Sequence, residues 1–301
     1  MSHTMLQKML GIFILQLFRL QLRTSGGAMA ARQERVPAEV VRQRMLDAGR
    51  DMAMEAGAAL TIEHLRLEQV IQRARVPRSS VYRLWPYKEG YIEDLLLYLA
   101  GAGNWFNDRP VFDLETITVL MAILDDNKEL LGSLAGRRAL LCEVVRVALT
   151  RNYEALSESV AWRLHMALAA TLGSTGSDET RKKIASALEE AQRMSRDSLV
   201  AVFGFAADVI GLRLRDPDVT VEHVQLAGGL LVQAMALRNV QVQAAITEGG
   251  EAAHVNALLN TPLLGPGLDG QPAEWSLAAF AYLGVLDAFI ELDPDFIPPV
   301  G

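Results

Sequence analysis

From Pro37 onward the hydrophobic positions recur with helical spacing. Val41, Met45, Ala48 and Met52 repeat at intervals of four, three and four, a single apolar stripe that Gly57 stops. Thr61 to Leu67 reads as an apolar connection leading into a helix over 68–74. Val81, Leu84 and Trp85 stand at i, i+3 and i+4, so they share one face of a short helix predicted from Pro77 to Trp85. A further helix over 88–100 keeps Tyr91, Leu95 and Leu99 on one side, and Gly101 and Gly103 end it at a predicted domain boundary. Beyond that boundary the same periodicity predicts helices over 113–127, 130–150, 153–172, 178–214, 219–247 and 274–292. Gly173 to Gly176, Asp216-Pro217 and the stretch from Pro262 to Pro272 separate some of them. The gap from Glu248 to Ala273 is predicted to wrap the surface or lid a cavity. Nothing reads as a strand-rich domain.

The predicted class is therefore all-α, in three parts: an apolar extension over 1–36, a small helical domain over 37–103, and a larger helical body over 104–301. Few aromatics beside abundant Ala and Leu agree with that class. In the extension, the run from Met9 to Leu22 is strongly apolar but only 14 residues long, and Gln16 and Arg19 interrupt it. A membrane-spanning helix needs about 20 residues, so membrane insertion is not expected, and a signal peptide fits poorly. Two readings stay open for residues 1–28: an untranslated upstream piece with Met29 as the start, or an amphipathic segment packed on the protein.

The last two predicted helices carry a separate signal. Residues 227–242 and 275–290 are apolar nearly all the way round, including Leu230, Leu231, Leu237, Leu283, Leu286 and Phe289. A helix of that kind has to be covered on two sides. Small Ala227, Gly228 and Gly229 would let a partner helix approach closely. The expectation is a seam between two copies of the chain; one very large monomeric core is the alternative.

Charge changes the picture only when divided along the chain. The formal net charge is −7, which alone argues against a nucleic-acid partner. Residues 29–100, however, hold 11 basic against 10 acidic residues, and residues 101–301 hold 15 against 26. The acidity thus lies in the body, where it would keep that part away from phosphates. Around the short helix, Arg73, Arg75, Arg78, Arg83 and Lys88 meet no acid in sequence until Glu89. With Val81 facing inward, Ser79 and Arg83 point outward at roughly 160° and 200° from it on a helical wheel. Tyr82 and Ser80 fall on the flanks. An apolar-backed helix with a long cation on its outer face suits a major groove, where outward groups meet base edges and flanking groups meet phosphates. Arg83 and Ser79 are expected to read bases; Tyr82, Ser80, Arg78 and Lys88 to hold phosphates; and Arg73 to add a further phosphate contact.

Catalytic chemistry is not legible. His3, His64, His165, His223 and His254 show no spacing that places two on one helix face as metal ligands. There is no phosphate-cradling glycine loop and no serine nucleophile elbow. Cys142 stands alone in the apolar run 139–145, so it forms no internal bridge; a buried structural thiol in a reducing cytoplasm is expected. Neither an enzyme nor a bound cofactor or metal is expected. The body can still hold a small-molecule chamber. Trp162, His165 and Met166, at i, i+3 and i+4, give one helix face a bulky, partly polar lining, to which Tyr153, Phe203, Phe205, Met121 and Leu124 can add. Core packing is the ordinary alternative for each of them.

The run Val70, Ile71, Ala74, Val76, Val81, Tyr82, Trp85, Pro86, Lys88, Glu89 resembles the DNA-binding domain of tetracycline-repressor (TetR) family transcription regulators, over about 55 residues from Met45 to Leu99. Three departures stand out. Arg75 occupies the usual turn Gly, Pro77 a usual capping Ser, and Ile71 a usual small Ala. The turn geometry at Arg75 is thereby placed in question, while Pro77 is tolerable as a first helical residue. The resemblance implies an N-terminal three-helix helix-turn-helix domain and a larger ligand-binding and dimerisation domain. It also implies a homodimer on a palindromic duplex operator, probed by two helices about 34–36 Å apart, and release by a small-molecule effector that favours another spacing. Tyr82 and Lys88 match the family's backbone-contacting Tyr and Lys. The rival reading is a helical dimer acting through protein or membrane-surface contacts, with a vestigial reading head.

Overall fold

The structure, a computed structural model, describes residues 37–55, 65–101, 114–172, 177–246 and 250–298. The apolar run 9–22, Met29, Gly57, Gly103 and the 173–176 separator lie outside them. The chain is all-α in class, with four short strands in two antiparallel pairs among the described residues. It divides into two compact units: residues 1–107 with 160–191 and 301, and residues 108–159 with 192–300. The first unit is thus not confined to 37–103, because residues 160–191 group with it rather than with the body.

In the first unit α1 (Ala38–Glu55), α2 (Leu67–Ala74), α3 (Arg78–Leu84) and α4 (Lys88–Ala100) enclose one apolar centre. Val41, Met45, Val70, Val81, Tyr91 and Leu95 are fully buried there, and Leu164 and Leu168 of α7 (Val160–Thr171) join them. Gly49 is required by close approach, since a Cβ would sit 2.2 Å from the Tyr91 hydroxyl. That hydroxyl donates to the Met45 carbonyl at 3.0 Å, tying α4 to α1. The start of α8 (Asp178–Ile210) packs Ile184 and Leu188 against Ala100, and Thr180 donates to Glu93 at 3.0 Å.

In the second unit α5 (Leu114–Asp126) and a 3₁₀ turn (Lys128–Gly132) precede α6 (Leu134–Glu158), whose first turn is capped by Ser133 accepting from the Gly136 N–H. Then follow the rest of α8, β1 (Leu212–Leu214), α9 (Val221–Ala245), α10 (Glu251–Asn260), β2 (Leu263–Pro266), β3 (Pro272–Trp275), α11 (Leu277–Phe289) and β4 (Ile290–Leu292). The helical runs end where the chain leaves helical geometry. Helix α6 continues past the break predicted at 151–152 and stops at Ser159. Helix α8 stops at Gly211, whose φ of 76° turns the chain into β1. In the β1–β4 pair Arg213 faces Glu291 in register, and their side chains form an ion pair at 2.7 Å. The stretch predicted as a surface wrap is α10 followed by the β2–β3 hairpin. Asn260 donates to Asn239 and Asn256, an amide cluster that fixes α10 on α9.

Arg137 is the one charged residue among the buried polar side chains of the described part. Its guanidinium donates to the Ile210 carbonyl at 3.1 Å and the Asp293 carbonyl at 2.9 Å and lies 5.2 Å from the Phe296 ring. A cation over the carbonyl end of α8 complements the helix dipole, and its two carbonyl acceptors and the Phe296 ring offset part of the cost of its burial.

Candidate nucleic-acid interface

The local chemistry of α2, α3 and the link between them determines what the first unit presents outward. Helix α2 ends with Arg75 in the left-handed region, φ 52° and ψ 48°, its N–H reaching the Gln72 carbonyl at 3.3 Å. Among the described residues it is the one non-glycine with positive φ, a conformation that costs an L-residue about 1 kcal/mol. The tight turn that a glycine would favour is therefore kept with an arginine in it. Pro77 is not the first helical residue but the residue before it, with extended ψ of 130°. Its carbonyl accepts from Ser80 N at 3.0 Å and Val81 N at 3.3 Å, opening a helix of only seven residues, two shorter than predicted.

The back of α3 is held from two sides. Val81 is fully buried, Trp85 nearly so, and Leu84 is half-buried against the same core. The Trp85 indole N–H donates to Asp94 at 2.6 Å, and Asp94 also pairs with Arg42 at 3.0 Å, so one carboxylate links the end of α3 to α4 and α1. Trp85 and Tyr91 meet edge to face with centroids 5.3 Å apart. Ser79, Tyr82 and Arg83 are exposed on the other face, together with Arg78. Lys88 is half-buried in the first turn of α4. Ser80 departs from expectation. It is only 8% exposed, so it is not an open flank of the helix.

Two of the expected phosphate cations are already answered by acids. Arg73 makes a two-pronged pair with Glu55, at 2.7 and 2.5 Å. Each group favours the other's charged form, which lowers the Glu55 pKa and raises that of Arg73. Glu68 on α2 pairs with Arg78 and accepts from the Tyr82 hydroxyl at 2.8 Å. That hydrogen bond raises the Tyr82 pKa, with lesser help from desolvation and from the Glu68 charge. Sequence reasoning missed Glu55 and Glu68. Neither stands at helical i,i+4 spacing to its cation, so no local pattern announces the pairs.

The expected chamber residues fall in different units. Trp162, His165 and Met166 lie on α7 in the first, where Trp162 and His165 are each 2% exposed. Burial lowers the His165 pKa to about 4, so the ring is neutral at pH 7. Tyr153, buried on α6, and Phe203, half-buried on α8, belong to the second unit. The five do not share one unit.

The apolar seam needs a correction on α11. Leu283 and Leu286 are buried inside their own unit, Phe289 and Leu231 are half-buried, and Leu230 and Leu237 are exposed. The outward side of α11 includes Phe280, Gly284 and Ala288, and that of α9 includes Leu226, Leu230, Ala234 and Leu237, with Ala227, Arg238 and Gln241 also exposed. Gly228 faces inward, where a Cβ would meet the Tyr282 ring at 2.2 Å; it lets α11 approach α9 within one subunit.

No protein-family model, curated protein or solved structure matches this chain. Among the described residues, no helix is long and apolar enough to cross a membrane.

Proposed function

We propose that the protein is a ligand-responsive, DNA-binding transcription regulator, a repressor acting as a homodimer on a palindromic operator in the cytoplasm. One observation carries the reading. Helix α3 turns Val81 and Trp85 into the core and leaves Ser79, Tyr82 and Arg83 outside, on a helix braced from behind by Asp94. This is the arrangement a helix-turn-helix needs to lay side chains on base edges without giving up its own packing. In this reading Arg83 and Ser79 contact bases and Tyr82 and Lys88 contact phosphates, Tyr82 by exchanging its bond to Glu68 for one to a phosphate oxygen. The outward leucines of α9, with Phe280 of α11, form the seam between two copies. The small-molecule effector rests on the TetR resemblance, and no catalytic role is proposed.

Footprinting the purified protein on DNA upstream of its own gene tests the proposal, together with its mass in solution by light scattering. A protected palindrome and a dimeric mass are expected. A monomer that protects no duplex at low salt would refute it. The Glu55–Arg73 and Glu68–Arg78 pairs favour a second reading, a helical dimer acting through protein contacts with a vestigial head, because they remove cations a phosphate backbone would use. That reading expects the same dimeric mass with no footprint.

A further inference from the structure

The cations around α2 and α3 fall into two groups. Arg73 and Arg78 face Glu55 and Glu68. Arg66, Arg75 and Arg83 are exposed and make no ion pair or hydrogen bond through their side chains among the described residues. Of the unanswered three, Arg83 is already assigned to bases, and Arg66 sits before the first residue of α2, at the end of that helix away from the link to α3. Arg75 lies in the link itself, between the last residue of α2 and the start of α3. It occupies the strained left-handed conformation that glycine adopts freely. Since a glycine would serve the turn better, packing does not explain an arginine there. The residue is exposed, and its charge is spent on no neighbour among the described residues. Strain retained at an exposed position beside a candidate interface points to work done by the side chain.

We propose that Arg75 is a backbone anchor of the reading head, placing its guanidinium on a DNA phosphate beside the N-terminal end of α3, and that it does what was expected of Arg73. The inference rests on the DNA-binding reading above. A guanidinium suits the task, because its planar donor fork matches two phosphate oxygens. A phosphate contact carries no base information, so its loss weakens all duplexes alike.

The test is a salt titration of the full-length protein on a fluorescent duplex of arbitrary sequence. Native protein is compared with Arg75→Gly, Arg75→Lys and the charge-neutral double variant Glu55→Gln with Arg73→Gln. Arg75→Gly is expected to bind several-fold more weakly at low salt. The slope of log affinity against log salt should fall by about one per subunit. Its unfolding temperature should hold or rise, because the turn is relaxed. Loss of binding with retained stability separates an anchor from a structural turn residue. Arg75→Lys should restore the slope, and the double variant should keep native affinity and slope. If native protein binds the duplex and Arg75→Gly binds it with the same slope, the inference fails and the DNA-binding reading stands. If the double variant loses the slope instead, the anchor is Arg73 and the inference fails in the same way. If native protein binds no duplex, both fall.

Discussion

Helices α3 and α9 each present a file of outward side chains, and the two files are opposite in kind. On α3 they are Ser79, Tyr82 and Arg83, hydroxyls and a cation over a fully buried valine. On α9 they are Leu226, Leu230, Ala234 and Leu237, with Leu230 57% exposed although water offers it nothing. The same 3.6-residue repeat therefore leaves a polar, cationic surface on one helix and an exposed row of leucines on the other. Outward leucines seven residues apart, with an alanine between, match the spacing by which paired helices pack. Under the proposed function, α9 brings two subunits together and α3 uses the pair.

The sharpest way to break this comparison is to exchange the inward and outward leucines of the second unit. Leu283→Ala should lower unfolding stability in denaturant by about 2–5 kcal/mol, because Leu283 is buried in its own unit, and should leave the dimeric mass intact. Leu230→Glu should do the reverse, retaining helical circular dichroism while the mass by light scattering halves. If both variants behaved alike, the distinction between the two faces would be gone.

A second test concerns the unit that carries α3. His165 is buried on α7 with its pKa lowered to about 4 by desolvation. The unfolded chain takes up this proton near pH 6.5 and the folded one only near 4. The stability linked to this residue is thus fully present above 6.5 and lost as pH falls through that window. The loss should come to about 3 kcal/mol by pH 4. Denaturant unfolding at a series of pH values should show this component in the native protein and not in His165→Gln. Identical profiles would mean that the imidazole is open to water.

On the reading face, Arg83→Ala should cost about 1–3 kcal/mol of operator affinity and blur one base position. Lys88→Ala should weaken all sequences alike, and Ser80→Ala should leave the footprint and affinity unchanged, since Ser80 is only 8% exposed. A Ser80 effect as large as that of Arg83 would invert the assigned faces of α3. The smallest expected effect is on Tyr82. Glu68→Gln should lower its pKa towards the ordinary tyrosine value, because the bond to Glu68 is the largest cause of its rise, ahead of desolvation; an alkaline absorbance titration referenced to Tyr82→Phe would show it.

What was legible beforehand follows from where the information lies. The inward face of α3 could be read because Val81, Leu84 and Trp85 declare it through spacing alone. Ser80 could not: a helical wheel puts it on a flank, and whether a flank is wet depends on neighbouring elements such as α1. The carboxylates that answer Arg73 and Arg78 come from residues 18 and 10 positions away, a distance bridged only by folding. On α11 every turn is apolar, so the pattern holds no asymmetry from which to tell the seam from the core, and Leu283 and Leu286, expected at the seam, lie in the core. The short strands were hidden for a different reason. Leu212-Arg-Leu214 and Ile290-Glu-Leu292 do alternate, but three residues are too few to stand out beside the helices they adjoin.

The buried guanidinium of Arg137 has a consequence for how the polypeptide is made. It is satisfied at one end by Ile210 and at the other by Asp293 and Phe296, residues synthesised long after it. Until they emerge, the nascent second unit holds a cation with half its acceptors missing and a β1 edge with no β4 to pair it. That unit is therefore closed only when the segment around Asp293 arrives, and cutting the chain before Asp293 would reopen it.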